Sequence, residues 1–259
     1  MELNGFSAIV TGGASGIGEA SARILATKGM KVVVADLERQ SEKGEALAKE
    51  IGGAFVPCDV ANTAQVSTAV ATAVEMGSLR ALVNAAGIGW ASRTIGRDGS
   101  PHDLDVYRKV IEINLIGTFN CIRLAASAMN SNEPDADGSR GAIVNIASVA
   151  AFDGQIGQAA YASSKGGVVA LTLVVARDLS ASGIRCNCIA PGLIDTPIYG
   201  TGEASEAFKA ALGKDVLFPQ RLGHASELGS MVGELISNSY MNAETIRVDG
   251  GIRMPPKSK

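Results

Sequence analysis

Histidine is nearly missing from this chain: His102 and His224 are the only two among 259 residues. Imidazole-based metal sites and triads with a histidine base therefore have little to draw on. Cysteine is also sparse. Cys58, Cys121, Cys186 and Cys188 fit neither a disulfide framework nor a zinc site. Cys186 and Cys188 are spaced to share one face of a strand, so they read as core thiols of a protein kept in a reducing compartment. There is no basic excess, with 23 Lys and Arg against 26 Asp and Glu, and no nucleic-acid partner is expected. No segment approaches 18 consecutive apolar residues, so no membrane span is expected. A strand-like run, Phe6–Val10, begins almost at once, without the charged and apolar regions of a secretory leader. The cytoplasm is the expected location, with an uncleaved organelle signal left open.

What the chain does have is glycine, 31 residues, and a hydrophobic content of 46% against 19% charged. That balance excludes a disordered chain. Aromatic residues are few, at 4%, and the mixture suits tight loops and close helix–sheet packing. A chain of this length buries roughly three quarters of its unfolded surface without covalent staples. No Pro- or Ser-rich linker divides it, so residues 1–259 read as one domain.

Short β-branched runs recur at Ala8–Val10, Lys31–Ala35, Ala54–Cys58, Ala81–Asn84, Ala142–Ile146, Arg185–Ala190 and Glu244–Val248. They are continuous rather than alternating, the pattern of a parallel sheet buried on both faces. Helical patterns such as Ser41–Ile51 and Asn62–Met76 lie between them. The expected fold class is α/β: an open, doubly wound, Rossmann-type parallel sheet of seven strands. A closed eightfold barrel is the alternative, and it lacks an eighth strand. Three stretches break the rhythm. Residues 131–141 read as a polar surface loop, 148–157 follow a strand, and 192–221 read as a substrate-loop insertion, either a lid or a segment with its own short helix. Ligands of such sheets bind outside the carboxyl ends of the strands.

The first strand runs into Thr11-Gly12-Gly13-Ala14-Ser15-Gly16-Ile17-Gly18 and then a helix. Its glycines would let backbone approach a pyrophosphate at a helix N-terminus. No Lys-Ser/Thr closes the loop, so it is not a nucleoside-triphosphate P-loop. Asp36, followed by Leu37, ends the second strand. An acidic side chain there accepts both ribose hydroxyls of an adenosine and repels a 2′-phosphate, so NAD is expected over NADP. The plain structural alternative for Asp36 is a helix cap.

Tyr161 and Lys165 share one helix face at i,i+4 spacing, and Ser148 lies just beyond a strand end. A free tyrosine has a pKa near 10, and a nearby ammonium would favour its phenolate. Ser148 and Tyr161 could then converge on one substrate oxygen, with Tyr161 as the acid/base. Asn114 sits within an apolar helix pattern, where an asparagine is usually a satisfied core group.

Together, Thr11-Gly12, Gly16 and Gly18, Asp59-Val60, Asn84-Ala85-Ala86-Gly87, Asn114, Ser148, Tyr161, Lys165, and Pro191-Gly192 with Thr196 resemble the short-chain dehydrogenase/reductase family over essentially the whole chain. The resemblance implies Tyr161 as catalytic acid/base, Ser148 as the group orienting the substrate oxygen, and Lys165 lowering the Tyr161 pKa while holding the nicotinamide ribose. It implies that Asn114 supports a water linking Lys165 to solvent. The cofactor site it implies comprises Gly12, Ser15, Gly16, Ile17, Gly18, Asp36, Leu37, Asp59, Val60, Asn84, Ala85, Gly87, Tyr161, Lys165, Pro191, Gly192, Ile194 and Thr196. Many members carry asparagine where this chain has Ala85. No metal site is expected.

A closer likeness, to the type 2 3-hydroxyacyl-CoA dehydrogenases, lies in Ala147–Tyr161, Gly117–Leu124, Asn132–Asp135 and Ile246–Pro255. It implies oxidation of a 3-hydroxyacyl-CoA to the 3-oxoacyl-CoA, with Ser148, Gln155 and Tyr161 as substrate contacts. The plainer reading of Gln155 is a loop amide bonded to backbone. A dehydrogenase of secondary alcohols or hydroxysteroids is the alternative. A 3-oxoacyl-carrier-protein reductase fits Asp36 less well, and a non-catalytic NAD-binding scaffold fits the intact Ser148, Tyr161 and Lys165 less well. Pairing of the long helices at about residues 103–129 and 158–182 implies a homotetramer. Arg93 and Arg97 are candidate phosphate contacts for CoA, with ordinary surface charge as the simpler reading.

Overall fold

A computed structural model describes residues 1–196, 200 and 202–257. Residues 197–199 and 201 of the expected substrate loop, and 258–259 at the C-terminus, lie outside the described residues. The strands are β1 (Ser7–Thr11), β2 (Lys31–Asp36), β3 (Ala54–Pro57), β4 (Leu79–Asn84), β5 (Gly141–Ile146), β6 (Ile184–Pro191), β7 (Ile194–Asp195), β8 (Gly223–His224) and β9 (Thr245–Val248). The helices are α1 (Gly16–Thr27), α2 (Ser41–Ile51), α3 (Thr63–Met76), α4 (Leu104–Ile111), α5 (Gly117–Met129), α6 (Ala159–Asp178), α7 (Glu203–Gly213) and α8 (Ala225–Ser237).

Seven strands form one sheet in the order β3-β2-β1-β4-β5-β6-β9, and every pairing in it is parallel. The sheet is open, with β3 and β9 at its edges, so the barrel alternative is excluded. Strand alternation sends Ala8, Val10, Val32, Val34, Val83 and Val144 to one core, shared with α1 and α8. Ile9, Val33, Leu82, Ile143 and Cys186 face the opposite core, with α3 and α5. Two buried faces explain why the strands read as unbroken apolar runs. On the first face a glycine permits close helix packing: a Cβ at Gly229 of α8 would lie 2.7 Å from the Ala20 carbonyl oxygen of α1.

The long helix expected at 103–129 is not uniform. Asp103 caps α4 by accepting from Asp105 and Val106, and Glu112–Ile116 form a π-helical turn before α5 begins. By length and composition Leu104–Met129 and Ala159–Asp178 are apolar enough to cross a bilayer; here both pack beside the parallel sheet. Residues 192–221 carry α7, and their ends meet in a two-residue parallel ribbon of β7 with β8. All four cysteines are buried and free.

Because the strand order reverses between β1 and β4, a crevice opens at their carboxyl ends. The loops after β1, β2, β4 and β5 all reach that edge.

Candidate active site

The glycine loop occupies the crevice. Gly12 adopts φ +62, and a Cβ there would stand 2.8 Å from Ala86 Cα. A Cβ at Gly18 would sit 2.0 Å from the Gly12 carbonyl oxygen. Only glycine admits this approach of α1 to the turn. Ser15 precedes α1 in extended backbone and makes no side-chain cap, so the first-turn amides of α1 remain available to an anion. Asp36 receives hydrogen bonds from the Ala14 amide to Oδ2 (3.0 Å) and the Leu37 amide to Oδ1 (2.8 Å). It ends a strand and caps no helix.

A cleft of about 820 Å³ runs from Asp36 and Leu37 past Gly16 to Gly87 and Thr196. Gly12, Ser15, Ile17, Gly18, Asp59, Val60 and Ala85 also line it. The glycine cradle, the free helix amides and a carboxylate at the far end fit a dinucleotide. Trp90, Val106, Lys109 and Ile113 complete the wall. Sequence pattern did not identify Val106, Lys109 or Ile113, because α4 and the turn after it reach the cleft only through tertiary packing.

Four expected cofactor residues stand elsewhere. Asn84 is buried behind the wall, and its Nδ2 donates to Asn145 Oδ1 on the neighbouring strand (2.9 Å). Pro191 is buried at the end of β6, in register with Val248. Gly192 packs on Asp249, where a Cβ would lie 2.7 Å from the Asp249 Cα. Ile194 lines a separate small cavity with Leu193 and Val216.

The catalytic candidates gather just beyond the Gly87 end of the cleft. Asn114 lies in the π-turn, fully buried. Its Oδ1 accepts from the Ile88 amide (2.8 Å), and its Nδ2 donates to the Ile88 carbonyl (2.9 Å) and to Ser164 Oγ (3.0 Å). One amide thus fixes the turn after β4 against α6. A Cβ at Gly87 would lie 3.2 Å from Asn114 Oδ1 and 3.5 Å from Lys165 Nζ, so the glycine leaves the lysine close to the cleft. Lys165, only 6% exposed, donates from Nζ to the Ile146 carbonyl (2.8 Å).

Lys165 Nζ stands 5.8 Å from the Tyr161 ring centroid, and the Ser148 hydroxyl lies near enough to the Tyr161 phenol to favour its ionised form. Ser148 Oγ also accepts from the Ala150 amide (3.1 Å), which fixes it at the head of a 3₁₀ turn. Ser148, Tyr161, Lys165 and Asn114 are therefore brought together. Ser164 and the Ile146 carbonyl, which hold two of them, were not foreseen.

The electrostatics differ from the expectation that Lys165 depresses the Tyr161 pKa. Burial pushes the phenol up, and the neighbouring Ser148 hydroxyl opposes this only in part. Burial also lowers the Lys165 ammonium to about 8. Desolvation, which penalises the charged form of each, is the leading cause of both shifts.

Gln155 is held by backbone bonds. Its Nε2 donates to the Pro255 carbonyl (2.9 Å) and its backbone amide to Gln158 Oε1 (3.0 Å). It lines a neighbouring depression with Arg93 and Lys257, and serves as a strap between loop and C-terminal tail. No cluster of metal-ligating side chains occurs among the described residues.

A glycine-cradled cleft beside a Ser-Tyr-Lys cluster defines a nicotinamide-dependent oxidoreductase, and the chain belongs to the short-chain dehydrogenase/reductase family. Residues 12–253 match the family described as Enoyl-(Acyl carrier protein) reductase. The chain is 50% identical over 252 residues to 3-hydroxyacyl-CoA dehydrogenase type-2 of Drosophila melanogaster, covering 96% of this chain and 97% of that protein. The human protein of the same name is 46% identical over 258 residues, covering 98% and 97%. The crystal structure of 3-hydroxyacyl-CoA dehydrogenase type-2 from Mycobacterium avium superposes with a TM-score of 0.93 at 44% identity, over 99% of this chain and 100% of that one. Such relatives make this chain a dehydrogenase acting on CH–OH groups.

The buried lysine titrates near 8, beside a phenol that burial holds above its usual range. Alcohol oxidation must leave a proton in that site. kcat/KM for oxidation should therefore rise with pH up to about 8 and level off above it. Lys165→Arg, which keeps its charge, should move the inflection upward. A wild-type profile flat from about pH 6 to about pH 10 would contradict this dependence on Lys165.

Proposed function

We propose that the protein oxidises the 3-hydroxyl of a 3-hydroxyacyl-CoA to the 3-oxo group, with NAD as its cofactor. The observation that carries the chemistry is the buried Lys165 against the Tyr161 ring, with the Ser148 hydroxyl beside the phenol. The names of relatives sharing about half of the residues support the acyl-CoA class.

Bound NAD+ would supply the hydride acceptor. Gly12, Gly16, Gly18 and the first turn of α1 would hold its pyrophosphate, and Asp36 its adenosine ribose. Ser148 would hold the substrate hydroxyl by a hydrogen bond. Tyr161, in its phenolate form, would take the hydroxyl proton. The Ile146 carbonyl keeps Lys165 aimed at the Tyr161 face, and Asn114 keeps the Gly87–Ile88 turn from shifting across it. Positioning of this kind supplies much of an enzyme's rate.

With 3-hydroxybutyryl-CoA and longer homologues, the protein should reduce NAD+. Tyr161→Phe should lower kcat about a thousandfold while leaving NADH binding intact by fluorescence titration. Absence of turnover across the chain-length series would remove the acyl-CoA assignment in favour of a secondary-alcohol or hydroxysteroid substrate.

The preference for NAD rests on Asp36, although Arg39 also faces that end of the cleft. Asp36→Ala should reduce the NAD-over-NADP ratio of kcat/KM by about tenfold or more, as loss of a like-charge repulsion. An unchanged ratio would assign Asp36 only to bracing the Ala14 amide.

The proposed assembly is a homotetramer. Leu115, Ile116, Phe119, Leu171 and Val174 form an apolar patch across the outer sides of α5 and α6. Ile116 and Phe119 are each 48% exposed, a contiguous arrangement typical of association surfaces. Light scattering should give four times the chain mass, and Phe119→Glu a smaller species. A monomeric wild type would refute the assembly.

A further inference from the structure

Beside the catalytic cluster lies a second depression of about 580 Å³. It opens along the segment that joins the Ser148 loop to α6, and Ala162, the residue after Tyr161, forms part of its wall. Arg93 and Lys257 stand on its rim, together with Gln155 and Gln158, and none of its lining residues is acidic.

The placement of the two cations is built by backbone hydrogen bonds to one segment. The Ser92 amide donates to the Gly157 carbonyl (2.8 Å), which fixes the chain just before Arg93. The Ile156 amide donates to the Pro256 carbonyl (2.9 Å), which fixes the chain just before Lys257. Gln155 Nε2 adds the bond to the Pro255 carbonyl. The prolines have no amide hydrogen to offer, so the tail binds this loop through its carbonyl edge. Arg93 and Lys257 are exposed, and neither makes an ion pair among the described residues. Two unneutralised cations on a roomy, carboxylate-free depression favour a polyanionic occupant.

We propose that this depression receives the phosphate-bearing tail of the CoA thioester, with Arg93 and Lys257 as its ionic contacts and Gln158 as a polar one. This assignment rests on the acyl-CoA reading above. The substrate's reacting carbon would lie at Ser148 and Tyr161, and the pantetheine arm would pass over the Gly154–Gly157 loop toward the two cations. Arg93 supplies a planar fork suited to a phosphate, and Lys257 a mobile point charge. The C-terminal tail is thereby part of the substrate site and not a passive end.

The test compares 3-hydroxybutyryl-CoA with the 3-hydroxybutyryl thioester of N-acetylcysteamine, which carries the same acyl group without phosphates. Arg93→Ala combined with Lys257→Ala should raise KM for the CoA ester about tenfold, from the loss of two exposed charge contacts. KM and kcat for the truncated ester should stay within about twofold, which also reports that the variant is folded. Added salt should likewise raise KM only for the CoA ester, since it screens exposed charges. Equal changes for both esters, or no change for either, would overturn the subsite and leave the acyl-CoA reading standing. Failure of the unaltered enzyme to turn over either ester would overturn both.

Discussion

Both faces of the main sheet are covered by helices, and that constraint gathers the site. Strands buried on two sides run parallel and are joined by helical crossovers, so all their carboxyl ends fall on one edge. Thr11 and Gly12, Asp36, Asn84 to Gly87, and Ile146 to Ser148 are far apart in sequence but become neighbours there. None needs a long loop to reach the others. The glycines then set how closely the loops approach. Gly18 lets α1 touch the Gly12 carbonyl, and Gly87 brings the cleft within reach of Lys165 Nζ.

Burial also governs the chemistry of the cluster. Lys165 has one backbone carbonyl and an aromatic face where water would otherwise solvate its charge. The ammonium therefore releases its proton near 8, while the phenol beside it holds its own more firmly than in water. One desolvated environment thus sets both groups. The scarcity of histidine is unimportant in such a site, because desolvation brings a lysine down toward neutral pH.

The sheet and glycine loop were legible because their signals are local: continuous β-branched runs, and glycines at a strand–helix junction. Ser148, Tyr161 and Lys165 were legible because a strand end and the next helix carry them within a short stretch. What failed was tertiary. Asn84 looked like a cleft residue until Asn145 appeared on the adjacent strand. The bond that holds the Gln155 amide to the Pro255 carbonyl was not legible either, because it depends on a tail a hundred residues onward. The direction of the Tyr161 shift depends on solvent exclusion by the assembled fold, which spacing along a helix does not encode.

The π-turn at Glu112–Ile116 has one more consequence. An extra residue in a helical turn rotates everything after it by about 100° relative to an unbroken α-helix. Val106, Lys109 and Ile113 before or within the turn look into the cleft, while Cys121, Ile122, Ala125 and Met129 after it face the sheet. One continuous rod thus serves two surfaces that a regular helix would present out of phase. Its residue count is therefore fixed. The 131–140 surface loop can absorb insertions and deletions, but loss of a single residue between Ile111 and Gly117 would swing Asn114 off Ile88 and mis-index the whole of α5 against the core.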